Sequence, residues 1–155
     1  MIMKRLLRWI GVVLASLMIV LLFLYLNRSD PYGRLPGKEI QGTEIAGLVK
    51  DWSFVQQYPW VTAEVRPAKP YSVFVGYFLY DGVIYISSEG KRWAYFLRQD
   101  PNMRLRVGKQ IYRVRATPVI DSEHLSRVRA AYRDKYPTRT LEETARRWFF
   151  QINSR

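Results

Sequence analysis

The chain has 155 residues, 48% of them hydrophobic and 15% aromatic, which is enough for one domain with a packed core and too apolar for wholesale disorder. It has no cysteine and a single histidine, His124, which excludes structural zinc, iron–sulfur clusters, disulfides and cysteine catalysis. Net charge is +12, and the residues after the first 26 still hold 22 basic against 13 acidic side chains, so the domain itself is basic and its expected partners are anionic: lipid headgroups, phosphates or nucleic acid.

From Trp9 to Leu26 the sequence WIGVVLASLMIVLLFLYL has no charge over eighteen residues. As a helix it would cover roughly 27 Å, close to the hydrocarbon thickness of a bilayer. A cleaved signal peptide is the rival reading, because Lys4, Arg5 and Arg8 make a proper basic start. No small-x-small cleavage site follows, however, and the run passes into Leu24-Tyr25-Leu26-Asn27-Arg28. The basic residues crowd before the apolar run, whereas Arg28 is answered by Asp30, so the positive-inside rule puts the N-terminus in the cytoplasm. The expected organisation is a cytoplasmic tail over residues 1–8, a transmembrane anchor over 9–26, a tether over 27–50 and one domain over 51–155. The protein is then expected in the inner (cytoplasmic) membrane as a single-pass chain, with its C-terminal domain periplasmic or extracellular.

Asn27 to Gly47 contains Pro31, Gly33, Pro36, Gly37, Gly42 and Gly47, and reads as a tether lying over the domain without regular structure. Trp60 to Arg66 looks extended. Tyr71 to Tyr80 (YSVFVGYFLY) is apolar on both parities and predicts one strand covered on both faces. Asp81-Gly82 is then a hairpin turn into Val83 to Ser88. Lys91 to Asp100 places Trp93, Phe96 and Leu97 on one helical face, ended by Pro101. Met103 to Val107 and Gln110 to Ile120 form a second hairpin about Gly108-Lys109. Asp121 can cap a helix whose buried stripe is Leu125, Val128, Ala131 and Tyr132, stopped by Pro137. Thr140 to Glu143 matches a capping box for one short turn, and Trp148 to Asn153 closes the chain as a strand. Val73, Val75, Tyr77, Ile84, Ile86, Leu105, Tyr112 and Val114 are the expected core of these strands.

This order, above all PYSVFVGYFLYDGVIYISSEGKRWAYFLRQDPNMRLRVGKQIYRVRATPVID and the closing WFFQIN, resembles the flavin- and deazaflavin-binding split β-barrels, the superfamily of pyridoxamine-phosphate oxidase. The shared layout is a hairpin with a D-G turn, a strand ending in small polar residues, a helix ending before proline, an alternating strand, and a helix ending in Tyr-Pro. The resemblance implies an α+β fold, in which a transmembrane helix precedes a small split barrel with two or three packed helices. It also implies bound FMN or deazaflavin and a homodimer, because such barrels build the cofactor groove from both subunits.

In such barrels the cofactor phosphate meets small polar and basic residues where a strand gives way to a helix, which the resemblance places at Ser87, Ser88, Lys91 and Arg92. Hydroxyls, free backbone N–H groups and two cations suit an anion. A solvated polar loop is the alternative reading. Glu89 lies inside the loop and would repel a phosphate, and Gln99-Asp100-Pro101 replaces the usual Asn-Pro. In the second hairpin, alternation sets Arg104, Arg106, Arg113 and Arg115 on one face, with Arg104 opposite Arg113. That pair needs an anionic ligand, a lipid surface or nearby acidic side chains. His124 reads as a surface residue rather than a base. Trp52, Trp60, Trp93 and Trp148 read as core or interface residues rather than a base-stacking platform. No Ser/His/Asp spacing suggests a nucleophilic triad, and neither a catalytic residue nor a metal site is assigned.

Two functions follow. One is a membrane-anchored redox protein binding FMN or a deazaflavin; with no twin-arginine motif, its domain would be exported unfolded and would have to acquire the cofactor outside. The other is a cofactor-free binding or scaffolding module that uses its basic surface at the membrane face. Nucleic acid would suit the charge but not the far-side topology.

Overall fold

The computed structural model describes residues 2–27 and 29–155, with side chains from Leu7 onward; the side chains of Lys4 and Arg5, and all of Arg28, on which the sequence-based orientation partly rests, lie outside the described residues. Helix α1 spans Ile2–Asn27; its described side chains, from Leu7 onward, are exposed, and Leu7–Asn27 is apolar and long enough to cross a membrane.

After α1 come β1 (Thr43–Ile45), a 3-10 turn at Ser53–Gln57, β2 (Val61–Val65), β3 (Tyr71–Val75), β4 (Tyr77–Tyr80), β5 (Val83–Ser88), α2 (Arg92–Gln99), β6 (Asn102–Val107), β7 (Gln110–Pro118), α3 (Ser122–Lys135), α4 (Leu141–Ala145) and β8 (Trp148–Ser154). The strand order is β3-β2-β6-β7-β8-β5-β4, antiparallel throughout, with β1 parallel to the start of β7. β3 and β4 are the two ends of this order, yet Gly76 alone separates them in the chain. The sheet must therefore curl until its two edges meet at Gly76. The single strand expected over Tyr71–Tyr80 is thus two strands on opposite edges, and its apolar character on both parities has two causes. Val75 and Tyr77 face the barrel interior, while Phe78 packs with Tyr85, Val128, Tyr132 and Phe149 beneath α3.

The interior is filled by alternate residues of the strands: Val61, Ala63 and Val65 from β2, Ile84 and Ile86 from β5, Met103, Leu105 and Val107 from β6, Tyr112 and Val114 from β7, with Trp93 and Leu97 of α2 and Trp52 of the loop before β2. Of the expected core and helix stripes, Val73, Phe96, Leu125 and Ala131 are only half-buried; the rest is buried. Asp81 and Gly82 both adopt positive φ (54° and 71°), the backbone that a tight two-residue hairpin requires. Asp121 caps α3, its carboxylate accepting from His124 N at 2.7 Å, and both hydrogen bonds of the Thr140–Glu143 capping box are made.

The expected tether does lie over the domain, as a covering layer, but it is not without regular structure: β1 lies within it and pairs with β7. Residues after α1 lie across the outer face of β2 and β6, which is why β2 is buried at all five positions. Ile40 is buried and its N–H donates to Glu64 at 2.7 Å; Gly37 exchanges two backbone hydrogen bonds with Ser72 on β3; and Asp30 pairs with Arg106 at 2.7 Å. Lys38 Nζ donates to Leu26 O, tying the end of α1 to this layer.

Candidate functional site

The split at Gly76 opens a cleft of about 180 Å³. Its walls come from every element that meets there: Phe74, Val75 and Gly76 at the β3–β4 junction, Ser87 at the end of β5, Lys91 and Trp93 at the start of α2, Tyr132 and Tyr136 at the end of α3, Arg139 after it, and Arg147 before β8. Three cations thus surround a site that also offers a serine and a tyrosine hydroxyl. Arg147 is oriented by its neighbours: Nε donates to Ser87 Oγ at 3.1 Å, and its guanidinium lies over the Tyr132 ring at 5.2 Å. Glu89 stands 3.6 Å from Arg147, too far for a tight ion pair, and Glu143 stands 3.7 Å from Arg139. Lys91 is exposed and makes no ion pair among the described residues. The Tyr136 hydroxyl donates to Tyr77 O at 2.8 Å. Burial, followed by the neighbouring Tyr132 and Tyr77, raises its pKa, so it stays protonated and its lone pairs remain available as acceptors. A β-carbon on Gly76 would approach this hydroxyl to 3.0 Å, so glycine keeps the floor of the cleft open.

A second cleft, of about 620 Å³, shares Phe74, Lys91 and Trp93 with the first. It is completed by Gly33, Arg34 and Leu35 of the covering layer, Tyr71 and Val73 of β3, and Arg92. Its walls mix Tyr71, Phe74 and Trp93 with the cations Arg34, Lys91 and Arg92, and they are as polar as they are apolar.

The four residues expected to gather round a phosphate are therefore divided. Ser87 and Lys91 line the small cleft. Ser88 is buried and its Oγ accepts from Lys91 N at 3.0 Å, so it holds the first turn of α2. Arg92 turns toward the larger cleft, 5.5 Å from the Phe96 ring centroid. Tyr136, Arg139 and Arg147 were not singled out from sequence. Their signal was present in the basic residues that flank Tyr136-Pro137 and precede the closing strand, but the contact spans some sixty residues of chain, as the Arg147–Ser87 bond does.

The basic hairpin has a different outcome. Arg104 does lie opposite Arg113, and acidic side chains separate them: Arg104 binds Glu64 through Nε (2.7 Å) and Nη2 (2.8 Å) and reaches Glu44 and Glu39, while Arg113 binds Glu44 at 2.8 Å. Glu64 beside it raises the Arg104 pKa, and Arg113, then Arg104, lower that of Glu44. Arg106 is occupied by Asp30 and Gln41 O, which leaves only Arg115 exposed without an ion pair among the described residues. These four arginines are thus not one free anionic contact strip. His124 is half-buried at the first turn of α3, its Nε2 3.1 Å from the Tyr85 hydroxyl, and takes no part in the cleft. Trp52 and Trp93 are core, Trp148 is half-buried and Trp60 exposed. Among the described residues no three His, Asp or Glu side chains are grouped as metal ligands.

No protein-family profile and no curated protein matches the sequence. Solved structures do match in shape. A candidate pyridoxamine 5'-phosphate oxidase from Listeria innocua superposes with a TM-score of 0.52 at 14% identity, over 66% of this chain and 88% of that one. A candidate 5-nitroimidazole antibiotic resistance protein from Bacteroides thetaiotaomicron superposes with a TM-score of 0.50 at 9% identity, over 79% of this chain and 89% of that one. At these identities the likeness is one of fold. The chain has the split β-barrel fold of the pyridoxamine 5'-phosphate oxidase-like proteins, preceded by an apolar helix long enough to span a membrane.

Proposed function

We propose that the protein is a membrane-anchored split barrel that binds FMN or a deazaflavin for a redox reaction, with the phosphate held between Lys91, Arg139 and Arg147. The observation that carries this reading is the convergence of those three cations with Ser87 and Tyr136 in a cleft that adjoins a larger one walled by Tyr71, Val73, Phe74 and Trp93. The residues fit the group. The small cleft has room for a phosphate among its cations, and the larger has the volume of a cofactor site with Tyr71, Phe74 and Trp93 in its walls. Arg147, held by Ser87 and Tyr132, would present a fixed guanidinium, and Lys91 a mobile point charge. The bound cofactor would supply the electron or hydride chemistry, and the protein binding and orientation.

The exposed Trp60 and Phe74 pair edge to face at 6.0 Å beside the larger cleft, an apolar surface suited to a second subunit, so a homodimer is part of the proposal. The apolar α1 and the basic residues before it support a single-pass anchor with the barrel on the non-cytoplasmic side.

The test is to titrate the full chain in non-ionic detergent with FMN and with a deazaflavin, following fluorescence. Saturable binding of either is expected, weakened by about 3 kcal/mol or more in K91A/R147A and much less in R92A or R115A. A folded chain that binds neither overturns the cofactor reading. For topology, the absence of cysteine allows a single probe: S122C should be labelled by a membrane-impermeant maleimide added outside intact cells, and labelling only after lysis would refute the orientation.

A further inference from the structure

On the other side of Arg147 the structure holds a cleft of about 410 Å³ that the flavin reading does not use. Pro118, Val119 and Ile120 at the end of β7, Leu125 of α3, and Trp148 and Phe149 of β8 form an apolar floor. Arg98 of α2, Arg129 of α3, Arg146 and Arg147 surround it. Their charges are poorly answered. Glu89 lies 3.6 Å from both Arg146 and Arg147, and Glu142 lies 3.3 Å from Arg146, but neither Arg98 nor Arg129 has an acidic partner among the described residues.

Arg129 is the sharper case. Its Nη2 donates to Ala145 O at 3.1 Å, while its Nε is buried and has no hydrogen-bond partner among the described residues, so the rest of the guanidinium is not engaged by the protein. Arg98 lies over the Trp148 ring at 4.8 Å, so one wall is both aromatic and cationic. Ile120, 87% exposed at the rim, adds an apolar contact that the barrel itself leaves uncovered.

We infer that this cleft is a binding site for a small anionic amphiphile, a carboxylate or phosphate head met by Arg129 and Arg98 with an apolar chain laid over Val119, Ile120, Leu125 and Trp148. A neutral chain would gain only the apolar floor, and a cation would be repelled, so the site selects charge as well as shape. A fatty-acid-like carboxylate and a lipid-like monophosphate share this chemistry, and the two are separated by experiment.

The full chain in non-ionic detergent is titrated with decanoate, decyl phosphate, decanol and decyltrimethylammonium, with quenching of tryptophan fluorescence as the readout and W148F as the control for its origin. Saturable one-to-one binding of decanoate or decyl phosphate is expected; the tighter of the two names the head group. Affinity should fall about tenfold in R129Q and again in R98Q, because each removes a charge-assisted contact. I120D, a substitution at an exposed site that leaves the core intact, should weaken binding similarly by placing a carboxylate at the rim. FMN binding should be unchanged in R129Q, R98Q and I120D, which separates this site from the proposed cofactor cleft. Equal binding of decanol, absence of saturable binding by both anions, or full affinity in folded R98Q and I120D would overturn the assignment.

Discussion

Replacing Glu64 by glutamine tests how the covering layer is held. Glu64 is 1% exposed and its carboxylate accepts three hydrogen bonds: Arg104 Nε at 2.7 Å, Arg104 Nη2 at 2.8 Å and Ile40 N at 2.7 Å. Glutamine keeps the shape but offers one oxygen, so its amide N–H₂ faces the guanidinium in either orientation, and in one of them the Ile40 N–H as well, donor against donor. The charge that answers Arg104 is lost as well. Breaking a buried pair by removing one partner costs about 3–5 kcal/mol. Glu39 and Glu44 still reach Arg104, at 3.0 and 3.2 Å, which argues for the lower end, about 3 kcal/mol. Urea unfolding of the full chain in detergent, followed by near-ultraviolet circular dichroism, measures the loss. Because Ile40 N is one of the three donors, E64Q should also admit protease at residues 31–39 before the barrel unfolds. E64L/R104L, which removes both charges, should be less destabilised than E64Q. A loss below about 1 kcal/mol in E64Q, with unchanged protection, would show that the buried pair does not hold the layer.

Three further predictions rest on separate contacts. L97A should cost about 2–5 kcal/mol and F96A less, since Leu97 is fully buried and Phe96 only half so; equal losses would mean that α2 packs by a different face. G76A should cost about 1 kcal/mol through the crowding of Tyr136, and Y136F in the same chain should recover much of it; thermal unfolding of the single and double variants decides. Glu44 has a folded-state pKa held below its ordinary value by Arg113 and Arg104, so its contribution is present above that ordinary value and is lost as pH falls through the lowered one. The stability difference between about pH 6 and about pH 3 should therefore shrink in E44Q, and a wider difference would contradict the sign.

The local elements and their order were legible in the chain. Eighteen uncharged residues defined α1, the D-G pair defined the β4–β5 turn, alternation placed Leu105 and Val114 inside, and Asp121 and Thr140 marked two helix starts, because each of these signals lies within a few residues of backbone. Ser87 and Lys91 were legible as neighbours for the same reason, strand end and helix start being adjacent in the chain, and both line the small cleft. The tertiary structure decided what depends on residues far apart. Only the curled sheet shows that Tyr71–Tyr80 is divided at Gly76, since a run that is apolar on both parities does not say which layer covers which face. Only the fold carries Arg139 and Arg147 to Lys91, and Glu39, Glu44 and Glu64 to Arg104, so it alone shows which cations have close acidic partners. Charge is read from composition, but its compensation is a matter of distance, and distance across the chain is set by the packing of the barrel.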